Sequence, residues 1–187
     1  SRAGMGLNAP LVSVEAHLSN GLPAFSVVGL PESSVRESRE RVRSALICSH
    51  FKWPDRRITV SLAPAELPKS GGRFDLPIAL AILVASGQLT ANALTNREFF
   101  GELGLDGSLR QCRGLLAAVR AATLDQRAVI LPAAQAKTMA VVPGSRVTAA
   151  EDLLSACGLI KAKTLAVIKV KADTTSTQKP ASTAQIT

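Results

Sequence analysis

Residues 76–86, LPIALAILVAS, carry no charge and are apolar on every side of a helical wheel. A helix without a polar face has no stable place on a protein surface, so this one belongs at the centre, with the rest of the chain built round it. Its flanks carry the matching punctuation. Asp75 is placed to act as N-cap, Pro77 falls in the first turn where its missing N–H costs no intrahelical bond, and Gly87 supplies the stop. The apolar run is far shorter than the roughly 20 residues a membrane span needs.

The segments around this helix read as alternating strands and helices. Residues 11–17 and 24–28 alternate apolar and polar side chains, and the Asn20-Gly21 pair between them predicts a hairpin. Residues 32–49 predict one amphipathic helix, with Val35, Ser38, Val42, Ala45 and Leu46 on the buried stripe. Its other face carries Arg36, Glu37, Arg39, Glu40, Arg41 and Arg43, where Glu32–Arg36 and Glu37–Arg41 have the spacing of helical ion pairs. Residues 57–62 form a third strand with Ile58, Val60 and Leu62 inward.

A Pro- and Gly-rich loop, 63–75, leads into the central helix. Strands at 98–105 and 108–110 flank the hairpin signal Asp106-Gly107. Further on come a helix at 114–122, a buried strand at 128–131 ended by Pro132, a helix at 133–140, a brief strand at 147–148 and a helix at 150–157 closed by Gly158. The acids Glu151 and Asp152 suit the positive end of that last helix. The expected division is one α+β domain over 1–160 and a tail over 161–187. The polar, Thr- and Ser-rich stretch 172–187 has too little apolar surface to offset ordering, while the apolar patch 165–170 is ambiguous.

Composition narrows the function classes. The net charge of +8 fits nucleic acid, an acidic partner or a solubilising surface, and part of it sits in the tail. Aromatic residues make up only 3%, with no Tyr, which argues against a stacking platform for single strands. Cys48, Cys112 and Cys157 are dispersed, as in a cytoplasmic protein with reduced thiols, and His17 and His50 lack metal-ligand spacing, so no metal site is expected. No signal-peptide pattern opens the chain.

Three segments in order carry a resemblance: 28–46 (VGLPESSVRESRERVRSAL), 58–80 (ITVSLAPAELPKSGGRFDLPIAL) and 101–110 (GELGLDGSLR). Together they resemble the N-terminal, ChlI-like domain of the magnesium-chelatase-like ComM/YifB family, over roughly residues 3–160. The resemblance implies the α+β fold of ribosomal protein S5 domain 2, shared with the Lon peptidase domain and the RadA C-terminal domain, in which a mixed sheet packs on helices. It also implies a following AAA+ module that binds ATP and Mg2+, homo-hexameric rings, no membrane, and branch migration on DNA during natural transformation. Two other readings follow from it: a Lon-like Ser–Lys peptidase, or a subunit of a metal chelatase acting on a tetrapyrrole.

The residues weigh against chemistry in this stretch. A serine nucleophile needs a nearby base, yet Arg73 stands where the resemblance places the nucleophile, and no lysine occurs between Lys69 and Lys137. Arg113 and Arg120 follow the hairpin instead, and arginine does not release its proton. Lys69-Ser70 precedes Gly71-Gly72 rather than closing a phosphate-binding glycine run, so no Walker A pattern is present. The expected role is non-catalytic. Lys69, Arg73, Arg110 and Arg113 are the candidates for DNA phosphate contact, as loop or strand-end cations. Gly71 and Gly72 are expected to supply unusual backbone angles, and Asp75 the cap.

Overall fold

The computed structural model describes residues 1–4 and 8–161. The expectations for 162–187, including the apolar patch and the polar tail, lie outside the described residues. Strand β1 (Ser13–Ser19) and strand β2 (Ala24–Val28) come first, then the short helix α1 (Ser33–Arg36), helix α2 (Ser38–Cys48) and strand β3 (Arg57–Ala63). The expected β1–β2 hairpin does not form. β3 lies between them, antiparallel to β1 (Ala16 opposite Val60) and parallel to β2 (Val27 opposite Val60). Ile58, Val60 and Leu62 of β3 are at most 1% exposed, whereas β1 and β2 have no fully buried residue. The strand with a fully buried apolar face takes the centre, where both its hydrogen-bonding edges are also satisfied.

Glu37 divides the expected 32–49 helix. It keeps right-handed helical angles, but its ψ opens to −11°, towards a 3-10 turn. The buried stripe is as read from the sequence: Val35, Ser38, Val42, Ala45 and Leu46 are all 0% exposed. The expected Glu32–Arg36 and Glu37–Arg41 pairs are not among the ion pairs of the described residues. Arg41 turns inward to Asp75 instead, and Arg39–Glu40, at 3.6 Å, is an exposed contact worth little.

Helix α3 (Asp75–Ala85) buries Leu76 to Leu80, Ile82 and Leu83 at the core it was expected to organise. Buried leucines and isoleucines of this kind contribute about 1.5–3 kcal/mol each. Its C-terminus closes as the sequence suggested. The amides of Gly87 and Gln88 donate to the carbonyls of Val84 and Leu83, with Gly87 at φ +73°.

The expected 98–105 strand is two. Strand β4 (Arg97–Phe99) joins a parallel sheet, and after a bend at Phe100-Gly101 the chain forms β5 (Glu102–Leu103), paired with β6 (Leu109–Arg110). The Asp106-Gly107 turn is present, but as a longer loop than the dipeptide implies: Gly104 N–H donates to Ser108 O, and Gly107 N–H to Gly104 O. Helix α4 (Leu115–Leu124), strand β7 (Ala128–Pro132), helix α5 (Ala133–Met139), strand β8 (Val147–Ala150) and helix α6 (Leu153–Lys161) complete the described chain.

β7 is buried throughout and lies between β4 and β8, all parallel. Ala150 belongs to β8 rather than to the last helix. That helix begins after Asp152, whose Oδ1 accepts from Ser155 N–H at 2.6 Å while Ser155 Oγ accepts from Asp152 N–H. Gly158 does not stop it. Among the described residues the architecture is α+β, with two three-stranded sheets, of which β1-β3-β2 is mixed and β4-β7-β8 parallel, and a two-stranded ribbon. Among the described residues no helix is long and apolar enough to cross a membrane.

Candidate nucleic-acid interface

The loop between β3 and α3 sets the four candidate cations in two different situations. Its backbone is held against the end of β2: Glu32 N–H donates to Lys69 O at 3.0 Å, and Lys69 N–H to Leu30 O at 3.4 Å. The Lys69 side chain runs inward and is 0% exposed. Its Nζ donates to Gly29 O at 2.7 Å and to Pro64 O, so it ties the end of β2 to the start of the loop. Burial lowers its pKa, against a smaller upward pull from Glu66. Lys69 is therefore not the phosphate-reaching cation expected from its place in a loop, because two backbone carbonyls already hold its ammonium inside.

Arg73 departs from expectation in being withdrawn from the surface. It sits in a 3-10 turn, Gly72–Phe74, and is 8% exposed. Its Nη2 donates to Arg113 O at 2.5 Å, and burial lowers its pKa. Arg110, at the end of β6, and Arg113, just before α4, are both exposed, as a phosphate contact requires. Arg120 on α4 and Arg36, Arg39 and Arg43 on α1 and α2 are exposed too.

Asp75 is not an N-cap. It is the first residue of α3, makes no capping bond, and faces inward with 1% of its side chain exposed. Its carboxylate accepts from Arg41 Nε at 2.6 Å, Arg41 Nη2 at 3.0 Å and Leu103 N–H at 3.2 Å. It joins α2, α3 and β5. Burial raises its pKa to about 6, with the bonds from Arg41 and Leu103 pulling the other way. The same bond raises the pKa of Arg41. The first amide of α3 beyond Asp75, that of Leu76, donates to Gly101 O at 3.0 Å, so the loop, not the aspartate, receives it.

Gly71 does adopt a left-handed angle, φ +75°. Gly72 does not, and its need is space: a Cβ there would lie 2.3 Å from Glu102 Oε2. Sequence reasoning missed Arg41, which it left on a solvated face, and Glu102. Nothing local distinguishes Arg41 from the arginines two residues away on either side. Among the described residues Ser70 makes no hydrogen bond to a lysine or histidine, and Lys137, the next lysine in sequence, is exposed on α5.

Residues 14–135 match the family described as subunit ChlI of Mg-chelatase. The competence protein ComM of Haemophilus influenzae is 52% identical over 154 residues, which is 82% of this chain and 30% of that protein. The uncharacterized protein YifB of Escherichia coli is 45% identical over 163 residues, 87% of this chain and 32% of its own length. An uncharacterized Mycobacterium bovis protein is 41% identical over 140 residues, covering 74% of this chain and 28% of that one. The chain thus spans about a third of the length of these relatives. With the strand–loop–helix at 58–80 inside the matched region, the chain belongs to the magnesium-chelatase-like ComM/YifB family.

Proposed function

We propose that this chain is a non-catalytic, cytoplasmic N-terminal module of an AAA+ ATPase of the ComM type. In this reading it supports ring assembly by the parent homo-hexamer and engages DNA for ATP-driven branch migration in natural transformation. ATP and Mg2+ belong to the ATPase part of the parent. The same reading takes the α+β architecture as S5 domain 2-like, with the loop between β3 and the buried α3 at the place where a Lon-like peptidase holds its nucleophile.

One observation carries the non-catalytic reading: Lys69, Arg73 and Asp75, three of the four ionisable groups of that loop, serve as struts, and the fourth, Glu66, is exposed. Lys69 is held by Gly29 O and Pro64 O, Asp75 by Arg41, and Arg73 by Arg113 O. A general base must be free to take up and release a proton at a reacting atom, and these three groups face the protein's own backbone and core. The exposed Arg110 and Arg113 support the DNA-contact part of the reading, since cations at loop and strand ends reach phosphates without reading sequence.

The test is the parent protein with and without residues 1–161. Loss of hexamers and of four-way-junction migration, with ATP hydrolysis retained, is the expected result; full migration without the module refutes it, and cleavage of unfolded casein by the chain refutes the non-catalytic reading. For DNA contact, fluorescence anisotropy with a labelled duplex should show affinity falling with salt, and the double variant R110Q/R113Q should reduce the slope of log K against log salt by about 2, one per phosphate contact.

A further inference from the structure

α4 begins without a side-chain cap: Gly114 occupies the N-cap position at φ +69° and offers no capping group. The amides of a helix's first turn find no acceptor inside the helix, and together they present about half a positive charge. Beside this end stands the guanidinium of Arg73, bonded through Nη2 to the carbonyl of Arg113, the residue before Gly114. A Cβ added at Gly114 would lie 3.3 Å from Nη2, and one added at Gly4 would lie 3.1 Å from it. The guanidinium thus lies between two glycines whose backbones are exposed.

Arg73 itself is more than nine-tenths buried, and its Nη1 has no hydrogen-bond partner. Among the described residues it forms no ion pair. Cys112 interacts with it electrostatically, but burial pushes that thiol up to about 11, so it is neutral at pH 7. A cation withdrawn from water with neither counter-charge nor full hydrogen bonding is costly. Its field is little screened, and the adjacent helix end adds to it rather than offsetting it. Both features call for an anion at the same place.

We propose that Arg73 and the N-terminus of α4 form an anion site that takes a phosphate group. Several convergent N–H donors beside a guanidinium suit an ion with multiple oxygens, and the exposed Arg113 adds charge next to the N-cap. The site deepens the DNA-contact reading at Arg113, with Arg73 acting from inside rather than as an exposed contact, but stands without it, because a phosphodiester and a free phosphate present the same oxygens.

The test is a titration of the 15N-labelled 187-residue chain with inorganic phosphate at constant ionic strength, followed by NMR. Saturable shifts of the Leu115 and Leu116 amides and of the Arg73 Nε–H are expected. R73M should weaken binding roughly tenfold or more. G114D, which places a carboxylate over the same amides at a φ that Asp tolerates, should do the same and serves as the second probe if R73M fails to fold. Absent or non-saturating shifts, or shifts unchanged in a folded variant, overturn the site. A duplex oligonucleotide then separates the sources. Competition with phosphate for these amides identifies the DNA backbone as ligand; phosphate binding untouched by duplex leaves the site standing for free phosphate and removes the DNA reading at this position.

Discussion

Gly29→Ala should be among the most damaging single-atom-group changes the chain can suffer, though Gly29 lies outside every core cluster. Gly29 follows β2 with φ +99°, and a Cβ there would stand 2.0 Å from Leu62 O and 2.8 Å from Leu62 C. Leu62 is a fully buried residue of the central strand β3. An unstrained contact needs about 3.5 Å, so two backbone segments must part by roughly 1.5 Å. An L-residue at positive φ costs about 1–2 kcal/mol and overpacking about 1–3 kcal/mol more. The sum, about 2–5 kcal/mol, corresponds to a fall in Tm on the order of 10 °C for a domain of this size.

Gly71→Ala is the control. Its backbone lies at φ +75°, ψ 167°, but an added Cβ meets nothing within 4 Å, so it should cost only the backbone strain of about 1–3 kcal/mol. Urea unfolding followed by far-UV circular dichroism measures both. Because Gly29 O is one of the two acceptors of Lys69 Nζ, G29A should also speed amine labelling of Lys69, read by mass spectrometry. A midpoint shift for G29A no larger than that for G71A would refute the reasoning.

Two further predictions concern titration and access. Burial raises the Asp75 carboxyl to about 6, while in the unfolded chain it titrates near 3.9. Between those values the native state holds a proton that the unfolded state has released, so the contribution of Asp75 to stability decreases as pH rises from about 4 to about 6. D75N should remove that component from the pH dependence of urea midpoints, and an unchanged profile would contradict the burial argument. Among the cysteines, Cys48 is exposed while Cys112 and Cys157 are buried, with the Cys112 thiol up at about 11. A disulfide reagent at pH 8 should therefore modify Cys48 rapidly and the other two only on denaturation; fast modification of C48S would count against it.

The parts of the fold that were legible share one property. The stripe Val35, Ser38, Val42, Ala45 and Leu46, the inward Ile58, Val60 and Leu62, and the all-apolar 76–83 stretch are each statements about spacing within a single element. Period and apolarity suffice for those, because a helix or strand with one greasy face must bury that face whatever it meets. The cap at Gly87 was legible, because its partners lie a few residues away, and the cap at Asp75 was not, because that carboxylate is claimed by other elements; the Asp152–Ser155 box was not anticipated, and the expected stop at Gly158 is absent. The hairpin signals show the same divide. Asp106-Gly107 turns a ribbon whose two strands pair directly with each other, whereas Asn20-Gly21 joins two strands between which β3, from some thirty residues downstream, is inserted.

The candidate site divides the same way. Sequence alone named four loop or strand-end cations, Lys69, Arg73, Arg110 and Arg113, as one candidate set, and of these Arg110 and Arg113 are exposed. Only the tertiary structure decided that Lys69 turns in to Gly29 and Pro64, that Arg41 leaves its helix surface for Asp75, and that Arg73 ends buried beside α4. A charged side chain goes wherever carbonyls, carboxylates or water can satisfy it, and here the satisfying groups come from segments up to forty residues away. Local pattern records a residue's own polarity; assembly alone determines the company that polarity keeps.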